Sequence, residues 1–104
     1  KYLKRQIVVY TAQYNAWKND ALKQLLGSKN KLKINFPVIL NCQFYCKTRH
    51  RKDLSAFYEG IQDVLVEANV LEDDNSNIIV GHDGSRIHYD KEQPRIEIKI
   101  LKVK

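Results

Sequence analysis

The stretch Asp53-Leu54-Ser55-Ala56-Phe57-Tyr58-Glu59-Gly60-Ile61-Gln62-Asp63-Val64-Leu65-Val66-Glu67-Ala68-Asn69 decides the fold. Leu54, Phe57, Tyr58, Ile61, Val64, Leu65 and Ala68 recur at spacings of three and four, so a helix of about four turns carries them on one apolar stripe. Ser55, Glu59, Gln62 and Glu67 fall away from the centre of that stripe. Asp53 offers a side-chain oxygen where the first turn needs a cap, and Asn69 is a residue that tolerates the left-handed turn ending a helix.

Towards the N-terminus, this helix is preceded by the densest basic run of the chain, Lys47, Thr48, Arg49, His50, Arg51 and Lys52. Residues 36–46 are apolar and aromatic with Pro37 near their start, and read as a strand. Residues 28–33 form a polar basic loop. Before it, Tyr14, Trp17, Ala21 and Leu25, widened by Leu22 and Leu26, mark an amphipathic helix that Thr11 is placed to cap and that stops near Gly27. The opening residues 1–9 mix bases with the apolar Ile7, Val8 and Val9, and lack an initiating Met.

Towards the C-terminus come the acidic turn Glu72-Asp73-Asp74-Asn75, a short strand over residues 77–80 and a turn at His82-Asp83-Gly84-Ser85. After Pro94, Ile96, Ile98 and Ile100 alternate with Glu97 and Lys99 as a strand with one buried face. The order is β-α-β-α-β-β. It predicts an α+β fold with a small mixed sheet of about four strands packed with two helices. With no repeat, linker or low-complexity tract, residues 1–104 are expected to form a single domain.

The chain holds 18 Lys and Arg against 12 Asp and Glu, a formal charge of +6, so its field favours a polyanion. No apolar run reaches the roughly 18 to 20 residues that cross a bilayer, and no hydrophobic signal segment opens the chain. A soluble, cytoplasmic protein without membrane contacts is the expectation. Cys42 and Cys46 sit four residues apart in an extended segment, roughly 13 Å and beyond disulfide reach, which fits a reducing compartment. Neither belongs to a Cys or His cluster at zinc spacing.

Two features can carry chemistry: the basic run ending in Asp53, and the adjacent carboxylates Asp73 and Asp74. Magnesium takes a few hard oxygen ligands and completes its shell with water and phosphate, so Asp53 and Asp74 suffice if they meet. Such an ion activates water and stabilises the charge on a phosphodiester being cleaved. Lys47, Arg49, His50, Arg51 and Lys52 would hold the backbone, because cations neutralise phosphates without reading sequence. Against this stand structural roles: Asp53 as a helix cap, the acidic turn as a solvated turn, the basic run as a solvated loop. His50, His82 and His88 form no ligand pair at helical spacing.

Arg49-His50-Arg51-Lys52-Asp53-Leu54, then Asp63, Leu65 and Ala68, then Asp73-Asp74-Asn75, resemble the RusA family of Holliday junction resolvases. That family follows a basic stretch with Asp-x-Asp-Asn, a helix with Asp-x-Leu, and a later Asp-Asp. Tyr89-Asp90-Lys91, Pro94-Arg95-Ile96-Glu97-Ile98 and the helix of Tyr14 and Trp17 look like its phage and prophage branch. The resemblance implies a Mg²⁺- or Mn²⁺-dependent endodeoxyribonuclease that resolves four-way junctions by paired cuts as a homodimer. Asp53 and Asp74 match its catalytic positions and Asp73 matches the neighbouring acid, so the resemblance implies all three as catalytic candidates. The chain departs from the pattern at Ser55, where the family has its second Asp, at Ala56 in place of Asn and at Glu59 in place of Lys; the Gly- and Pro-containing opening segment is missing or cut short. Ser55 and Glu59 therefore join Asp53 and Asp74 as metal-ligand candidates. The alternative is a relative that keeps the DNA-binding groove with weakened or lost chemistry. A ligand pair at both ends of a 22 Å helix would require the chain to fold back or a second subunit to complete the site. The dimer contact would then be expected to use apolar surface left over from the stripe of the second helix or from residues 36–46.

Overall fold

The computed structural model describes residues 4–11, 16–28 and 32–103. Among them the elements run β1 (Lys4–Tyr10), α1 (Trp17–Leu26), β2 (Val38–Cys46), α2 (Leu54–Glu67), β3 (Ile79–Gly81), β4 (Arg86–Tyr89) and β5 (Arg95–Lys102). The fold is α+β, with two helices on a mixed sheet of order β1-β5-β2-β3. β5 lies antiparallel between β1 and β2, while β3 and β4 both run parallel to β2 along its other edge.

Alternation explains the sheet. Val38, Leu40, Cys42 and Phe44 of β2, Ile96, Ile98 and Ile100 of β5, and Ile7 and Val9 of β1 all point to one buried face. Against it pack Phe57, Ile61, Val64 and Leu65 of α2 and Ala21 and Leu25 of α1, in one continuous core. Asp53 caps α2 as its position suggests, its side chain accepting a 3.0 Å hydrogen bond from the Ser55 amide. Asn69 takes the left-handed turn after α2, with φ 63°. A parallel strand pair needs a crossover, and α2 supplies it between β2 and β3.

Four expectations change. The sheet has five strands rather than about four, because β3 and β4 are two halves of one edge broken by the turn at residues 82–85. There the Ser85 hydroxyl stands in for the missing ladder, accepting from the Cys42 amide at 2.9 Å and donating to the Leu40 carbonyl at 3.3 Å. Gly84, at φ +82°, permits this turn, and a Cβ on it would fall 2.6 Å from the Asn41 side chain. The third strand begins at Ile79, since Asn77 and Ile78 still belong to the preceding turn. Thr11 does not cap α1: its amide continues the sheet edge by donating to the Pro94 carbonyl at 3.0 Å, and α1 starts only at Trp17 with no side-chain cap. Tyr14 lies outside the described residues. Finally, the stripe of α2 and the apolar face of β2 are consumed by this chain's own core. The large apolar side chains left exposed include Val8, Tyr10, Leu26, Val80, Ile87 and Tyr89.

Candidate nucleic-acid interface

β2 and β4 run parallel and end together, so the basic loop after β2 and the turn after β4 meet at one end of the sheet. The carboxyl ends of parallel strands are where open α/β sheets commonly hold ligands. The Asp90 amide ties the two exits together by donating to the Cys46 carbonyl at 2.8 Å.

The basic loop is organised around one of its own cations. Lys52 Nζ donates to the Thr48 carbonyl at 2.8 Å, to Thr48 Oγ1 at 3.3 Å and to the His50 carbonyl at 2.7 Å. Charge-assisted bonds of this kind are the stronger class, and here they fold residues 48–52 round the ammonium. The Arg49 guanidinium carbon lies 4.2 Å from the centre of the Tyr89 ring, which aims that side chain along the edge strand. Lys47, His50 and Arg51 are exposed. Of the five expected phosphate contacts, Lys52 and Arg49 thus also shape the surface.

Beside the loop lies a cluster that the sequence reading did not assign to the site. Arg95 donates from Nη1 to Asp90 Oδ2 and from Nε to Glu97 Oε2, both at 2.8 Å, with its guanidinium carbon 3.9 Å from the Tyr45 ring centre. From the strand on the other side of Tyr45, His88 stacks on the same ring at 4.6 Å and hydrogen-bonds Gln43 Oε1 through Nε2 at 2.6 Å. The bond from Arg95 holds the Asp90 carboxyl below the usual carboxylate range, and the same two acids raise Arg95. One signal was present: Arg95 and Glu97 stand two apart on a strand and so share a face.

Under the loop, a cavity of about 260 Å³ opens between α1, α2 and the end of β2. Trp17, Phe44 and Phe57 line it, with Thr11, Lys47 and Arg95 also at its walls. Phe44 and Phe57 stack at 4.8 Å, and the Trp17 ring sits 5.6 Å from Phe57.

The candidate acids are not brought together within one chain. Asp53 stands at the start of α2, whereas Asp73 and Asp74 follow its far end, and 14 helical residues span about 21 Å. Ser55 and Glu59 are exposed one helical turn apart near Asp53. Asp73 is turn-forming: Oδ1 accepts from the Asp74 amide at 2.7 Å and Oδ2 from Asn75 Nδ2 at 3.0 Å. Asp74 is exposed and borders a shallow hollow with Asp63 and Glu67 of α2 and Lys18 of α1. The chain after Asp74 does return towards Asp53, but the acid it delivers is Asp90, already engaged by Arg95. Among the described residues, no group of three or more His, Cys, Asp or Glu side chains is placed to hold a metal ion.

His82 and His88 are tied into the structure through ring stacking and Nε2, whereas His50 is exposed. His82 stacks on Tyr58 at 4.0 Å and meets Gln62 Oε1 through Nε2 at 2.7 Å. An amide oxygen only accepts, so Nε2 carries the proton, and Nδ1 is a buried lone pair without a partner among the described residues. No helix among the described residues is long and apolar enough to cross a membrane. No family model matches this chain, and no curated protein matches it significantly.

Proposed function

We propose that this protein is a metal-dependent endonuclease for branched DNA, acting as a homodimer in which Asp53 of one copy and Asp74 of the other share an ion. The observation that carries this reading is the state of Asp53. It is exposed, follows four cations within six residues, and yet forms no ion pair among the described residues. Lys52 is turned onto carbonyls and Arg49 onto Tyr89, leaving a carboxylate that caps α2 through one oxygen but has no cation partner among the described residues, beside a surface suited to phosphate. A divalent ion there would be bound through one or two carboxylates plus phosphate oxygens, the usual arrangement for magnesium. Ser55 and Glu59 lie near enough along α2 to add a hydroxyl and a second carboxylate.

The span of α2 supports a shared site, since one chain cannot offer both acids to one ion. A two-fold axis relating antiparallel α2 helices would create two equivalent sites about one helix length apart, suited to cutting two strands. The resemblance of residues 49–75 to RusA resolvases points the same way. A second reading, a DNA-binding relative with weakened chemistry, is favoured by Ser55 and by the lack of a three-ligand cluster among the described residues.

Incubating the protein with a labelled four-way junction in Mg²⁺ or Mn²⁺, and then with EDTA, tests both. The nuclease reading expects paired cuts that EDTA abolishes. Binding without cutting favours the second reading, and failure to bind branched DNA overturns both.

A further inference from the structure

We propose that the cavity beneath the basic loop is a pocket for one unstacked nucleobase, the phosphate of the same nucleotide resting on Lys47. The inference rests on the DNA-binding reading above and adds what the protein grips. Size comes first: about 260 Å³ is just below the roughly 300–1,000 Å³ of pockets for drug-sized ligands, so one small planar group fits. Its walls are the second argument. Trp17, only partly buried, offers an aromatic ring on which any base stacks because every base has a π-face, while Phe44 and Phe57, stacked on each other, give the cavity an apolar wall. The Thr11 side chain, buried at the wall, makes no hydrogen bond among the described residues and can serve a base edge.

The third argument is continuity with the backbone path. Lys47, Thr48 and Lys52 belong both to the loop and to the cavity wall, so a strand lying on the loop passes the cavity mouth. Arg95 is committed to Asp90 and Glu97 and Lys52 to carbonyls, which leaves Lys47 as the rim cation for the phosphate. Taking one base out of the stack costs free energy, and least for a base that is mismatched or already unpaired, so a junction with such a base beside the branch is the occupant that fits best.

The test uses four-way junctions carrying a single abasic site at successive positions round the crossover. Trp17 is the sole tryptophan, so its emission reports directly on the cavity. At one position the abasic junction should bind roughly 5- to 150-fold more weakly, the worth of one stacked base, and should fail to quench Trp17 where the intact junction quenches it. Thr48→Phe, which fills the mouth from the loop without touching the core, should bind the intact junction as weakly as the wild type binds the abasic one. It should also be indifferent to abasic substitution. Trp17→Leu checks the same loss from the opposite wall, with thermal melts confirming that both variants fold. Full affinity at every abasic position with unchanged Trp17 emission overturns the pocket and leaves DNA binding standing. Failure of the wild type to bind any junction overturns both.

Discussion

Gly60 sits in the middle of α2, where alanine is normally better by about 1 kcal/mol, so helix propensity alone makes Gly60→Ala stabilising. The structure reverses that sign. A Cβ on Gly60 would lie 2.6 and 2.8 Å from two carbons of the Trp17 ring, the contact by which α1 packs on α2. Carbon atoms attract best at about 3.5–4.0 Å, so the ring must retreat by close to 1 Å. Phe57 stands 5.6 Å from it, and Ala21 and Leu25 fix the rest of α1 in the core. Overpacking of this kind costs about 1–3 kcal/mol. Subtracting the propensity gain leaves a net loss of about 1 kcal/mol, or a Tm lower by about 4–8 °C in a domain of this size. Thermal unfolding followed by circular dichroism measures the shift, and Trp17 emission should change because the ring moves. A Tm that rises by several degrees would refute the argument that Gly60 is retained for the close approach of Trp17.

Lys52 and Arg51 separate shape from contact: Arg51→Ala should lower the salt slope of junction binding by about 0.9, one phosphate, whereas Lys52→Met should lower it by more, because Arg49 and His50 lose their placement with it. Equal slopes for the two variants would make Lys52 an ordinary contact. His82 makes stability fall in mild acid. Its folded pKa lies below 6.5, chiefly through burial and against the opposing pull of Asp83, so the unfolded chain takes the proton first. Stability is whole above 6.5 and is lost as pH drops towards the folded value. Urea midpoints at pH 7.5 and 5 should show this, and His82→Asn should reduce the difference; an unchanged difference would remove His82 as its source. The Cys42 thiol is pushed up to about 12 by burial, so a thiol reagent at pH 8 should leave it unmodified until denaturant is added. Immediate reaction of both cysteines in the native protein would contradict the packing of β2.

What could be read from the sequence follows from where each signal comes from. The stripe of α2, the Asp53 cap and the Asn69 terminator are local, as is the alternation of β5, and all four stand in the structure. The edge formed by β3 and β4 leaves no local signal, because its continuity depends on β2. Ser85 bridges the gap with its hydroxyl, and only β2 reveals that residues 79–81 and 86–89 belong to one edge. Thr11 looked like a cap since Thr is a good one, yet its amide was claimed by the Pro94 carbonyl, some eighty residues away in sequence. The loop cations at 47–52 were legible as a group, but the division of labour among them depends on where Lys52 folds and on Tyr89 arriving from another strand. The Arg95 cluster needed β5, β2 and the turn after β4 to be brought together.

The shared metal site is tested most directly by mixing two inactive proteins. Asp53→Asn and Asp74→Asn should each bind junctions and fail to cut, since each removes one ligand from every site. In a heterodimer of the two, one site loses both acids and the other regains both. Random exchange makes half the dimers mixed, so the mixture should recover about one quarter of the wild-type nicking rate in Mg²⁺. A mixture as inactive as either parent, under conditions where subunits exchange and the wild type cuts, would contradict a site built from Asp53 of one copy and Asp74 of the other.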